Sequence, residues 1–264
     1  MHRRSFLAGL GVLPVLPAAA ALQGELNIGI YPGTAKAGIY GGDFHAYASP
    51  FAQALGAALG LKPRLSLFRS IRSVQRSMEK GRVDLYFIPP TVAVTALDHD
   101  YSPIARVRDQ AEGVLIRRRA KPVEAVALPE KGSWLDLMAR YTLRQNKIEA
   151  VKTYNFKDPA DVILALQREY AQAGSLRSKL ADELTKKGEF EAWHPLPTTP
   201  DFTLVASNRL EVAERDKLAA AAVALAPEAV QSLQKTINSK VTGFVVAKQA
   251  DYGTIRQALG EAGD

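Results

Sequence analysis

The chain has 264 residues, 34 basic and 27 acidic side chains, a formal charge of +7 and no cysteine. The lack of cysteine excludes disulfides, thiolate metal sites, a cysteine nucleophile and lipid attachment through a cysteine. No Walker loop, G-x-S-x-G elbow or H-E-x-x-H pair is present, so no catalytic constellation is legible and no cofactor is expected.

Residues 1–21, MHRRSFLAGLGVLPVLPAAAA, combine a basic start, a short apolar stretch and small residues. This is the pattern of an export signal, and the apolar run is too short and too broken by Gly and Pro to anchor in a bilayer. Arg3-Arg4-Ser5-Phe6-Leu7 resembles a twin-arginine (Tat) motif, with cleavage expected after Ala19 or Ala21. Removing 1–21 takes away two basic residues and no acidic one, leaving a charge of about +5. On an exported protein that excess points to anionic solutes rather than to nucleic acid. The remaining chain of about 240 residues is long enough for two lobes with their own cores. Its histidines, His45, His99 and His194, are too widely spaced to suggest a metal site.

In chain order, ELNIGIY (25–31) predicts a strand, followed by a long Gly-rich loop carrying Tyr31, Thr34, Tyr40, His45 and Tyr47. Ser49-Pro50 predicts a helix start, with Ser as cap and Pro in the first turn. A strand at 63–68 precedes a basic helix, SIRSVQRSMEKG, whose Arg69, Arg72, Arg76 and Lys80 recur at helical spacing. In GRVDLYFIPPTVAV (81–94) a strand runs into Pro89-Pro90, which must end it, and a helix begins at Thr91. PIARVR and GVLIRRR predict two neighbouring strands within 102–119. VEAVALP and the helix SWLDLMARYTLRQN follow, then AVKTYNF with Asp158-Pro159 opening DVILALQREY, then AQAGSLRSKLADEL as a strand and helix. The tail is helical over 211–236 and 251–260. Repeated strand-then-helix units predict an α/β fold with mainly parallel sheets.

The order of GRVDLYFIPPTVAV, a strand pair at 102–119 and a P-x-x-x-S joint at 129–133 resembles the phosphonate-binding branch of type II periplasmic binding proteins. LQREYAQAG (166–174) resembles that family's second copy of the GRVD strand, with Gln172 where Asp is usual. PLPTTPDFTLVAS (195–207) resembles its return crossing, with Asp201 in the place of the family's Asp. The resemblance covers about residues 25–225. It implies a type II periplasmic binding protein fold: lobe 1 from 24–106 and 206–264, lobe 2 from 107–205, joined by two crossings. It further implies a periplasmic monomer that captures a small anionic solute, phosphonate- or phosphate-like, for the membrane permease of an ABC transporter. A ligand sensor serving a membrane kinase, or an adaptor for an exported redox enzyme, is the alternative.

Within that frame the candidate ligand contacts are Thr91, Ser133, Lys131, Arg72, Tyr154, Ser175 and Asp201. Thr91 and Ser133 sit where a helix N-terminus would present unpaired N–H groups to an oxyanion, and either hydroxyl could instead cap its helix. In PEKGSWLD (129–136) only Ser133 survives of the family's hydroxyl run, with Lys131 in another of its positions. Near Ile71 the family's aromatic is missing, and Arg72 offers a bidentate donor in its stead. Asp201 could accept from a ligand amine or hydroxyl, or pair with an arginine.

Overall fold

The computed structural model describes residues 24–33, 41–237 and 239–263. The export signal and two residues of the first loop, Thr34 and Tyr40, lie outside the described residues.

Strand β1 (Glu25–Ile30) buries Leu26, Ile28 and Ile30. Helix α1 spans Gly41–Leu59, starting nine residues before the Pro50 expected from sequence and carrying that proline in its interior. Phe44, Ala48, Phe51, Ala52 and Leu55 form one buried stripe that runs straight through the proline. An interior proline costs about 3 kcal/mol, whereas each large apolar side chain gains about 1.5–3 kcal/mol on burial. Burial of the extra turns therefore overrides the local stop signal.

Strand β2 (Lys62–Leu67) runs parallel to β1. Ser70 caps α2 (Ile71–Glu79) through a reciprocal box with Ser73. Strand β3 (Leu85–Ile88) is wholly buried and stops at Pro89, which holds the N-cap of α3 (Pro90–Leu97), with Pro90 as its first residue. The prolines need no N–H partner there, so α3 starts without a side-chain cap.

Strand β4 (Tyr101–Val107), the two-residue β5 (Gln110–Ala111) and β6 (Gly113–Arg118) follow. The second sheet continues with β7 (Ala125–Leu128), α4 (Trp134–Gln145), β8 (Lys152–Asn155), α5 (Pro159–Gln167), β9 (Ala173–Arg177), α6 (Ser178–Thr185) and β10 (Phe190–Pro195). The chain returns through β11 (Thr199–Pro200) and β12 (Thr203–Ser207), then α7 (Val212–Val223), α8 (Pro227–Gln234), β13 (Phe244–Val246), a 3-10 turn and α9 (Gly253–Gly263). Pro227 splits the expected helix at 211–236 into α7 and α8.

One sheet has the order β13-β4-β12-β3-β1-β2, the second β10-β6-β9-β7-β8, and β11 pairs β5 between them. The strands read from sequence as neighbours, β4 and β6, thus lie in different sheets, because β5 carries the chain across. Strand β12 pairs with both β3 and β4 in the first sheet, so a division at residue 205 would cut it. Both sheets are mixed rather than mainly parallel: among the described residues, only β1 with β2 and β3, and β7 with β8 and β9, run parallel. Strand–helix–strand units keep β1, β2 and β3, and β7, β8 and β9, parallel. By contrast β12, arriving directly from β11, inserts antiparallel between β3 and β4, and β6, arriving directly from β5, lies antiparallel to β9 and β10.

The residue before each central strand ties it to its neighbour. Asp84 Oδ2 accepts from the Asn27 N–H at 2.8 Å and from Asn27 Nδ2 at 3.2 Å, and Arg209 Nη2 donates to Asp84 Oδ1 at 3.3 Å. Before β9, Gln172 Oε1 accepts from the N–H groups of Glu124 (3.2 Å) and Ala125 (3.0 Å). One apolar core lies between the first sheet and α1, α7 and α8, around Phe51, Phe87 and Phe244. A second runs from one sheet to the other through Tyr86, Val92, Trp134, Leu143 and Ile255. Helix α9 packs against both α3 and α4, with Arg144 Nε 3.9 Å from Glu261.

Candidate functional site

Between the two sheets lies a cleft of about 800 Å³. Its walls are the segments that follow strand ends: Tyr31–Gly33 after β1, Pro89–Val92 after β3, Ser133–Leu135 after β7 and Arg177–Leu180 after β9. The crossings supply Asp109, Gln110, Glu112, Asp201 and Phe202, and the segment after α8 supplies Lys240. The helix starts of α3, α4 and α6 therefore open onto one space, each with N–H groups that have no intrahelical acceptor.

Thr91 lies in the first turn of α3, one residue past Pro90. It is only 4% exposed, and its Oγ1 has no hydrogen-bond partner among the described residues. It is not a cap, since Pro89 holds that position. A buried hydroxyl without a partner costs about 1–3 kcal/mol; Thr142 Oγ1 is in the same state away from the cleft, whereas Thr91 lies on the cleft wall. On the opposite wall Ser133 does cap α4, accepting from the Asp136 N–H at 3.3 Å. Its own proton stays available to donate into the cleft, beside the N–H groups of Trp134 and Leu135 in the first turn.

Asp201 takes the second of the roles expected for it and pairs with an arginine. Arg177 Nη1 and Nη2 donate to its two oxygens at 3.2 and 3.1 Å. The guanidinium lies 4.7 Å from the ring centre of Trp134, and Trp134 Nε1 donates to Thr199 Oγ1 at 2.7 Å. Sequence reasoning missed both Arg177 and Trp134. Arg177 reads there as one more basic residue at a strand–helix joint, and its partner lies 24 positions away.

The other expected contacts lie away from the cleft lining. Arg72 is exposed on α2, and Ile71 faces the cleft instead. Lys131 is exposed in the turn before α4. Tyr154 is 47% exposed on β8, an edge strand of its sheet. Ser175 lies fully buried within β9 and donates to the Leu135 carbonyl at 3.0 Å, behind the wall rather than on it.

Tyr31, a buried residue of the cleft lining, donates its hydroxyl to Glu130 Oε2 at 3.2 Å, joining the segment after β1 to the turn after β7. Burial, reinforced by the Glu130 charge, pushes the Tyr31 hydroxyl well above the ordinary tyrosine range. Burial also raises Asp109, but hydrogen bonds from Thr242 and the nearby Lys240 outweigh it and hold that carboxyl below its usual value. Among the described residues, the cleft's carboxylates (Asp109, Glu112, Glu183, Asp201) and cations (Arg177, Lys179, Lys240) nearly balance. No group of three or more His, Asp or Glu side chains gathers to hold a metal among the described residues.

Over residues 42–252 the sequence matches the family described as "ABC transporter, phosphonate, periplasmic substrate-binding protein". The chain belongs to that family. Members of this phosphonate-binding family are substrate-binding components of transporters rather than enzymes, with a small solute as ligand and a membrane permease as partner. A search of the curated proteins found no match. Among solved structures, XAC2383 from Xanthomonas citri, bound to ATP, is similar at a TM-score of 0.75 and 14% identity, over 91% of this chain and 98% of that one. PhnD1 from Prochlorococcus marinus, in complex with methylphosphonate, is similar at 0.69 and 14%, over 91% and 98%. The aliphatic sulphonate binding protein SsuA from Escherichia coli is similar at 0.59 and 14%, over 90% and 86%. At these identities the likeness carries the fold, that of type II periplasmic binding proteins. No helix among the described residues is long and apolar enough to cross a membrane.

Proposed function

We propose that this phosphonate-family protein captures a small oxyanion, phosphonate- or phosphate-like, between the α3 and α4 helix starts and delivers it to an ABC permease. The observation that carries this reading is the buried, unpartnered hydroxyl of Thr91 on the cleft wall. An oxyanion oxygen would satisfy it, together with the free N–H groups of the first turn of α3. Ser133 and the first turn of α4 would take the remaining oxygens from the other side. Asp201 acts through Arg177 rather than as a free acceptor. The ligands named for the neighbours, a phosphonate, a sulphonate and ATP, all carry tetrahedral oxyanions and support the same reading.

The two sheets with their helices serve as lobes that close on the ligand, and the Tyr31–Glu130 hydrogen bond links them. Residues 1–21 act as a twin-arginine export signal. The convergence of the α3, α4 and α6 helix starts on one cleft of about 800 Å³ supports solute capture over the adaptor alternative.

Titration calorimetry of the exported form with inorganic phosphate, sulfate and methylphosphonate tests the reading. At least one of them should bind, and Thr91→Val should weaken it by about 0.5–1.5 kcal/mol, or up to about 3 if the accepting oxygen is charged. Ser133→Ala should weaken it as well. No binding of any of the three, or an affinity indifferent to both substitutions, would remove the oxyanion site.

A further inference from the structure

Among the described residues lining the cleft, Asp201 is the deepest carboxylate, with its side chain 3% exposed. Glu112 and Glu183 are exposed at the rim, and Asp109 is engaged by Thr242 and Lys240. A ligand ammonium entering the cleft would find in Asp201 its natural partner. That partner is already taken.

Both oxygens of Asp201 are held by Arg177 in an end-on fork, through Nη1 and Nη2. Three further contacts fix the fork. The guanidinium stacks on Trp134, Trp134 is pinned by Thr199, and Thr199 Oγ1 donates in turn to the Pro200 carbonyl, next to Asp201. Arg177 is the more open member of the pair, 26% exposed against 3%. The cleft therefore meets the cationic member first. The end-on fork occupies one edge of the guanidinium and leaves its side edge, Nε with one Nη hydrogen, able to take a second oxyanion.

We propose that Arg177 sets selectivity by occupying Asp201, so that the cleft accepts oxyanions with a plain apolar substituent and rejects those bearing an amine. The proposal rests on the oxyanion reading above and specifies its substrate class. An ammonium beside Arg177 would meet a like charge, and it would lose its hydration with no free buried carboxylate to replace it. An alkyl substituent would meet Ile71, Val92, Leu135 and Phe202, which line the same space.

The test compares methylphosphonate with 2-aminoethylphosphonate, which share a head group and differ by the amine. By calorimetry on the unmodified chain, methylphosphonate should bind at least about tenfold more tightly, a modest part of a like-charge penalty at short range. Arg177→Gln frees Asp201 and should move the ratio by at least about tenfold towards the amine. Should the unpaired carboxylate of that variant prevent folding, the double variant Arg177→Gln/Asp201→Asn keeps the size of the pair without its charges. It should bring the two affinities close together. Equal affinities in the unmodified chain, or a ratio unchanged in the variants, would overturn the selectivity role while leaving the oxyanion site standing. Binding of neither phosphonate would overturn this proposal, and it would sink the oxyanion reading as well only where inorganic phosphate and sulfate also fail to bind.

Discussion

The two halves of the molecule solve the same two problems with different chemistry. Each must tie its central strand to a parallel neighbour, and each must present a helix start to the cleft. The first half anchors β3 with a buried carboxylate, Asp84, supported by Arg209. The second anchors β9 with a neutral amide, Gln172, which reaches two backbone N–H groups. At the cleft, α3 is closed by prolines and keeps its Thr91 hydroxyl unspent, while α4 spends the acceptor side of Ser133 on its own cap. Stability and recognition are thus separated in one wall and shared by a single residue in the other.

The sharpest way to break this comparison is at the anchors. Asp84→Ala should destabilise the protein by about 3 kcal/mol, because hydrogen bonds to a charged group are lost and the Asn27 N–H is left without its acceptor. Gln172→Ala should cost less, about 1–2 kcal/mol, since both lost bonds are neutral. Urea unfolding of the two variants measures the difference, and equal losses would mean that the charge at Asp84 adds nothing.

The smallest effects are the most diagnostic. Without ligand, Ser133→Ala should lower stability by about 1 kcal/mol through loss of the α4 cap. Thr91→Val should raise it by about 1 kcal/mol, since it removes a buried hydroxyl that has no partner. Opposite signs in apo thermal melts would establish that one wall is built for binding alone. Losses of the same sign would make Thr91 an ordinary structural residue.

Much of this arrangement is legible in the sequence, where local chemistry decides the outcome. Pro89-Pro90 must stop a strand and can start a helix, and for Ser133, ahead of an apolar helical stripe, the sequence leaves two roles open, cap or ligand contact. Gln172 could be matched to the Asp84 position through the resemblance of LQREYAQAG to the family's second GRVD strand. What stays hidden depends on partners distant in the chain. The start of α1 is set by a buried stripe that only the packed core reveals, against the local advice of Pro50. A two-residue strand such as β5 has no periodicity to detect, so the passage between sheets reads as a simple strand pair. Ser175 reads as a ligand contact because what engages its hydroxyl, the Leu135 carbonyl, lies 40 positions away. Arg177 and Asp201 are each visible, but nothing local joins them.

The stacking of Arg177 on Trp134 has an optical consequence. The chain carries two tryptophans. Trp193 is half-buried on β10 beside Arg117, outside the cleft lining. Trp134 is 3% exposed, lines the cleft and carries a cation on its face. Its emission should be blue-shifted, and sensitive to any change in how that cation sits. Intrinsic fluorescence therefore gives the protein a built-in reporter of cleft occupancy. Trp134→Phe would silence it, leaving Trp193 as a constant background against which the signal is read.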